Sequence, residues 1–284
     1  MEIARAAERA GFDAVFVTEH PIPEREWMES GGHHALDPFV ALSFAAAATG
    51  TLRLLTNLCV VPYRNPFLLA KSVASLDALS GGRLILGAGA GYLEPEFRAL
   101  GVPFEARNEL FDESLRAMKE VWRGEWIRAE GSGWRADGHC ALPRPAQRPG
   151  PPIWIGGNSR RALRRAVELA EGWMPFPNPQ RSVGRRHTPA LVSLEDLGAR
   201  LAQLREHAAR VGRSAPLEIV FMPVAGGSHG TPSFDAGALL DHVAAQSALG
   251  VTWLSVGLAA DTRAGFLRNL EDYAVRVVEP ARGL

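Results

Sequence analysis

Short apolar runs alternate along the chain with longer segments of helical period, and most junctions carry a cap or a turn signal. The clearest case is the stretch from Leu52 to Phe97, LRLLTNLCVVPYRNPFLLAKSVASLDALSGGRLILGAGAGYLEPEF. Leu54 to Val61 is long enough for a parallel strand buried on both faces. Asn65-Pro66 supplies an N-cap followed by proline at the first helical position. Ser80-Gly81-Gly82 stops that helix, and Leu84-Ile85-Leu86 opens the next strand. The strand runs into Gly87-Ala88-Gly89-Ala90-Gly91, where bare backbone lets a bound group approach closely.

The same grammar recurs in AERAGFDAVFV (7–17), VELAEGWM (167–174) and QSALGVTWLSV (246–256): a helix end, a glycine stop and a short strand. Repetition of this unit predicts βα architecture with parallel strands. Strands are expected near 14–18, 53–60, 84–87, 153–156, 172–175, 217–222 and 252–256. Helices are expected near 37–49, 66–80, 106–123, 159–171, 194–211, 236–249 and 263–278. Asp37-Pro38, Asn158-Ser159 and Ser193 with Asp196 mark further helix starts. Residues 124–150 break the rhythm and read as a surface insertion, a hairpin; 176–192 reads as a second long loop. LILGAGAGY superficially matches a dinucleotide fingerprint. However, Tyr92 stands where GxGxxG needs its last glycine, and the stretch lies in mid-chain rather than in an opening βαβ unit.

Composition narrows the class. A chain of 284 residues with 46% hydrophobic residues can bury a large core as one α/β barrel. Formal net charge is +0 from 31 basic and 31 acidic residues, so no global field calls for nucleic acid or an anionic membrane. Cys59 and Cys140 lie far apart with no CxxC spacing, which suggests neither a disulfide framework nor a zinc site and fits a reducing cytoplasm. No run of 18 apolar residues and no signal peptide is visible, so a cytoplasmic protein is expected.

TNLCVVPYRNP, AKSVASLDALSGGR and LGAGAGYLEPEF, with the downstream ALGVPFEAR, follow one another in a fixed order. Together they resemble the luciferase-like monooxygenase family of flavin and deazaflavin enzymes, most of all the branch using coenzyme F420. The resemblance implies one TIM-like (β/α)8 barrel domain over 1–284. Seven expected strands are one short of that barrel, because Met1 already stands in the helix that should follow strand one. The first strand is therefore expected to be missing, either through an artefactual start, the preferred reading, or because the barrel is incomplete, with a gap between the strands of Val15 and Leu254. Further implications are F420 as cofactor with FMN as the alternative, a small organic substrate and a homodimer.

Catalytic residues of such barrels lie at the C-terminal ends of the strands. There Val17-Thr18-Glu19-His20 matches the family's V-x-D/E-H motif, which nominates His20 for proton transfer, while Glu19 reads as structural. The family's counterpart of Leu58, Cys59 and Val60 bulges and carries a non-proline cis peptide behind the ring. That bond is expected at Leu58–Cys59, with Asn57–Leu58 as second choice. Gly89, Ala90 and Gly91 extend the same cofactor wall. Gly156-Gly157-Asn158-Ser159 precede a helix, so free amides there are expected to hold the cofactor phosphate. Trp27 is a candidate cap for the pocket. His33 and His34 share no face and have no carboxylate at ligand spacing, so they read as loop residues rather than metal ligands. Sugar-phosphate-oxidising relatives carry tryptophan and glutamate where this chain has Glu24 and Tyr92, which argues against the same substrate. The reading is a deazaflavin-dependent oxidoreductase transferring a hydride to or from a small organic substrate. An FMN-dependent monooxygenase and a non-catalytic cofactor-binding protein are its alternatives.

Overall fold

The computed structural model describes residues 1–284. Along the chain run α1 (Glu2–Arg9), β1 (Ala14–Val17), α2 (Arg25–Glu29), α3 (Pro38–Ala48), β2 (Arg53–Thr56) and β3 (Cys59–Val60). Then follow α4 (Pro66–Leu79), β4 (Leu84–Gly89), α5 (Glu94–Ala99), α6 (Arg107–Arg123), β5 (Ile127–Gly131) and β6 (Trp134–His139). After them come β7 (Ile153–Gly156), α7 (Arg160–Leu169), β8 (Gly172–Met174), α8 (Val183–Arg186) and α9 (Leu194–Arg210). The chain ends with β9 (Glu218–Phe221), α10 (Ala236–Leu249), β10 (Trp253–Leu254), α11 (Arg263–Tyr273) and α12 (Glu279–Ala281). Two compact units are formed, a central one (Phe16–Ile153) and a terminal one (Met1–Val15 with Trp154–Leu284).

In the central unit β2 pairs in parallel with β4, Leu54 opposite Leu84, and β3 pairs with the far end of β4, Cys59 opposite Ala88. All six residues of β4 are buried, as befits a parallel strand covered on both faces. The expected single strand over 53–60 is in fact two, β2 and β3. The backbone breaks at a non-proline cis peptide between Asn57 and Leu58, the second choice of the sequence reading and one residue before its first choice, Leu58–Cys59. The glycine run likewise stays in the ladder to Gly89, and the turn begins only at Ala90. A side chain at Gly87 is impossible, since its Cβ would lie 1.9 Å from the Thr56 carbonyl oxygen.

Asp37 caps α3 by accepting from Phe39 N (2.9 Å) and Val40 N (3.0 Å), and Asn65 caps α4 by accepting from Phe67 N (2.9 Å). α4 and α6 cover the strands with Leu69, Val73, Leu115 and Met118, all buried. The insertion at 124–150 contains the expected hairpin, β5 antiparallel to β6. Its return segment is pinned by buried Asp77, which accepts from Gln147 N (2.9 Å) and Nε2 (2.7 Å).

In the terminal unit β7, β8, β9 and β10 pair in sequence order and in parallel. The helices start where expected: Ser159, Ser193, Asp235 and Thr262 each accept from a first-turn amide. Tyr273, Leu239, Val243 and Val277 form a core against which Phe12 and Leu254 pack. β1 pairs only with β2 and β10 only with β9, and both strands are merely half-buried, so neither closes on a further strand.

Candidate active site

His20 follows the end of β1, and its ring is the hub of the central unit's polar cluster. Its Nδ1 lies 3.1 Å from Glu96 Oε2, and its Nε2 lies 3.5 Å from the Tyr92 hydroxyl. Glu96, on α5, is 0% exposed and also accepts from Ile22 N (3.2 Å) and from the Tyr63 hydroxyl (3.0 Å). The Trp27 ring packs against His20 at 4.3 Å between centroids, and His33 meets it edge-on at 5.2 Å. His33 Nε2 lies 3.0 Å from Thr18 Oγ1. Burial, then the neighbouring His20, holds the His33 pKa below its usual value. Burial, then the Glu96 carboxylate, pushes the Tyr63 phenol far up, so it stays a neutral donor.

Glu19 faces the other way and is structural, as expected. It is 4% exposed, accepts from Val60 N at 2.6 Å and lies 2.5 Å from Arg64 Nη2. That contact is an ion pair without hydrogen-bond alignment, and Arg64 Nη1 is buried with no hydrogen-bond partner. Arg64 also reaches Asp37 at 3.2 Å. Burial works against the guanidinium charge, but Glu19 outweighs it and the Arg64 pKa is raised. The pair thus anchors β3 at the strand end. Burial, then Glu19, raises the Cys59 thiol well above its ordinary value, so this buried cysteine is inert.

Leu58, Cys59, Val60, Gly89, Ala90 and Gly91 do come together. Val60 pairs with Gly89, and a Cβ at Gly89 would sit 3.1 Å from Leu58 Cδ1. Gly91 has φ of +81°, and a Cβ there would lie 2.7 Å from both Val60 Cγ1 and Phe97 Cε2. The side chains of Leu58, Val60 and Phe97 fill the space over Gly89 and Gly91, so the glycines let β3 and α5 pack closely on the end of β4.

In the terminal unit, Gly156 ends β7 and Ser159 caps α7, its Oγ accepting from Ala162 N at 3.1 Å. The expectation of free amides here needs correction. Gly157 N donates to Met174 O (3.2 Å) and Asn158 N to Thr188 Oγ1 (2.9 Å). Buried Asn158 instead ties three segments, its Nδ2 donating to Phe176 O (2.9 Å) and Pro189 O (3.1 Å). Beside it is a cavity of about 470 Å³ lined by Gln180, Val183, His187, Thr188, Pro189 and Ala190. The Thr188 hydroxyl, which accepts from Asn158, keeps its own hydrogen to donate.

Sequence reasoning missed Glu96 and Tyr63. Glu96 lies 76 residues from His20, and LEPEF carries only the weak signal of a carboxylate beside a core phenylalanine.

A parallel βα fold with a histidine at a strand end is the arrangement in which α/β-barrel enzymes place their functional groups. Residues 1–226 match the luciferase-like monooxygenase family, and the chain belongs to that family. A Mycobacterium tuberculosis relative is 32% identical over 187 residues, 61% of this chain and 66%, just under two thirds, of its own length. An FMNH2-dependent dimethylsulfone monooxygenase from Pseudomonas putida is 29% identical over 75% of this chain and 56% of that enzyme. An F420-dependent glucose-6-phosphate dehydrogenase from Nakamurella multipartita is 33% identical over 61% of this chain and 50% of that enzyme. Among solved structures, a monooxygenase from Streptomyces bottropensis superposes with a TM-score of 0.78 at 23% identity, covering 98% of this chain and 92% of the other. An F420-dependent secondary alcohol dehydrogenase bound to an F420–acetone adduct gives 0.74 at 16% identity, covering 99% and 93%. These likenesses fix the fold as that of the luciferase-like barrels, with flavin-type enzymes of both cofactor classes among the relatives.

Proposed function

We propose that the protein is an F420-dependent oxidoreductase that passes a hydride to or from a small organic substrate. The carrying observation is His20, fixed at a strand end between a buried carboxylate and a phenol. A histidine so held can manage the proton that accompanies a hydride transfer. When bound, the deazaflavin supplies the hydride acceptor or donor. Leu58, Cys59, Val60, Gly89, Ala90 and Gly91 hold its ring. Within the terminal unit, Gly156, Gly157, Asn158 and Ser159 shape an anion subsite of a kind that suits a phosphate, with the donors being the Thr188 hydroxyl and the first amides of α7 rather than those of Gly157 and Asn158. His20 holds or releases the proton that accompanies the hydride, and Trp27 keeps water from its face. The test is spectroscopic: reduction of bound F420 by members of an alcohol panel, or oxidation of reduced F420 by aldehydes and unsaturated ketones. Failure of every substrate with tight cofactor binding would favour a non-catalytic binding protein.

FMN-dependent monooxygenation is the second reading, favoured by the dimethylsulfone monooxygenase likeness over 75% of the chain. Oxygen consumption with reduced FMN, and none with F420, would establish it.

A homodimer completes the proposal. α3 and α4 pack together and leave Val40, Phe44, Leu68 and Leu79 between 60% and 83% exposed, an apolar face suited to a second copy. Light scattering should give twice the chain mass of 30.7 kDa, and Phe44→Glu should shift it toward the monomer. No helix is long and apolar enough to cross a membrane. The free cysteines Cys59 and Cys140 support a cytoplasmic location for a single domain over 1–284.

A further inference from the structure

We infer that Glu96, with Tyr63, is the positioning pair that sets the tautomer of His20, leaving Nε2 as the proton-accepting atom; the inference rests on the role given to His20 above. Three groups converge on the Glu96 oxygens: Ile22 N, the Tyr63 hydroxyl and His20 Nδ1. The carboxylate is fully buried, so water cannot take the place of any of them. A carboxylate accepts and does not donate, so the hydrogen of the 3.1 Å contact belongs to Nδ1. In a neutral imidazole the lone pair then lies on Nε2, the atom beside the Tyr92 hydroxyl. Tyr63 matters because its neutral phenol donates to the same oxygen, Oε2, and so pins the carboxylate in place. Rigid α5 and the strand end of β1 come from segments far apart in sequence, so the orientation of His20 is set by the fold and not by its own loop. A carboxylate behind a working imidazole both selects the tautomer and stabilises the imidazolium once the proton has arrived.

The test uses the whole chain without cofactor, by long-range proton–nitrogen NMR of the histidine rings, with His20→Ala assigning the His20 signals. Wild type should show Nδ1 protonated and Nε2 bare. Glu96→Gln is nearly isosteric and places an amide donor against Nδ1, so the tautomer should move to Nε2–H. Turnover should fall about 10–100-fold, the range for losing the carboxylate partner of a functional imidazole, while cofactor affinity holds. Tyr63→Phe should retain the wild-type tautomer but broaden its signals. If Glu96→Gln proves unstable, the wild-type spectrum alone decides, and Nε2–H in wild type would overturn the inference. So would a folded Glu96→Gln protein with unchanged tautomer and turnover. Nδ1–H in wild type, lost in Glu96→Gln, would uphold the tautomer assignment even in a protein that turns over neither cofactor, and the failure would then belong to the oxidoreductase reading.

Discussion

Replacing Arg64 by methionine should expose how β3 is anchored. Glu19 has a side chain 2% exposed and depends on two partners, the Val60 amide at 2.6 Å and the Arg64 guanidinium at 2.5 Å. Arg64→Met removes the counter-charge and leaves a buried carboxylate with one donor. Breaking a buried pair in this way costs about 3–5 kcal/mol. The Arg64 side chain is 24% exposed, so water can enter its place, and the low end, about 3 kcal/mol, is expected. Urea unfolding followed by tryptophan fluorescence reads the loss as a lower midpoint at unchanged slope. Glu19→Gln in the same background should restore most of it, because no charge is then stranded, and the double-mutant cycle isolates the pair. Since Glu19 also holds Val60, Arg64→Met should weaken cofactor binding, which a simple surface arginine would not do. A loss below about 1 kcal/mol, the range of exposed pairs, would refute the reasoning.

His20→Ala should lower turnover by about 10²–10⁴, the usual range for a general acid or base, with cofactor affinity far less affected; intact turnover in folded protein would remove His20 from the mechanism. Gly91→Ala forces a left-handed φ of +81° on a residue whose Cβ would lie 2.7 Å from Val60 and Phe97. A loss of about 2–4 kcal/mol, together with weaker cofactor binding, is expected by calorimetry and titration. His33 has a folded pKa below its usual value of 6.5, so between those values the unfolded chain binds the extra proton. Its contribution is therefore complete above about 6.5 and is lost as pH falls through the lower folded value. Melting temperature against pH should be flatter there for His33→Gln, and an unchanged slope would contradict the assignment.

The βα rhythm was legible because its signals are local: caps at Asp37, Asn65, Ser159 and Ser193 all formed the predicted bonds. The hairpin at 124–150 was legible as a break in that rhythm. The break of 53–60 into β2 and β3 was legible only through the family resemblance, which led to a bulge and a cis peptide within one residue of where they lie; an apolar run by itself gives no sign of where its ladder breaks. The junction proposed as a phosphate subsite shows where a local signal stops. Glycines before a helix advertise free amides, but the sequence does not show that Met174 and Thr188, on other segments, take two of them. Glu96 was invisible for the same reason, its partners being Ile22, His20 and Tyr63. Long-range satisfaction of buried polar groups leaves no period to read.

The most direct test is a side-by-side equilibrium titration of the purified protein with F420 and with FMN, followed by fluorescence. The account predicts saturable binding of F420, tighter than that of FMN, and weakened by Gly91→Ala. Tighter binding of FMN, or no saturable binding of either, would contradict it.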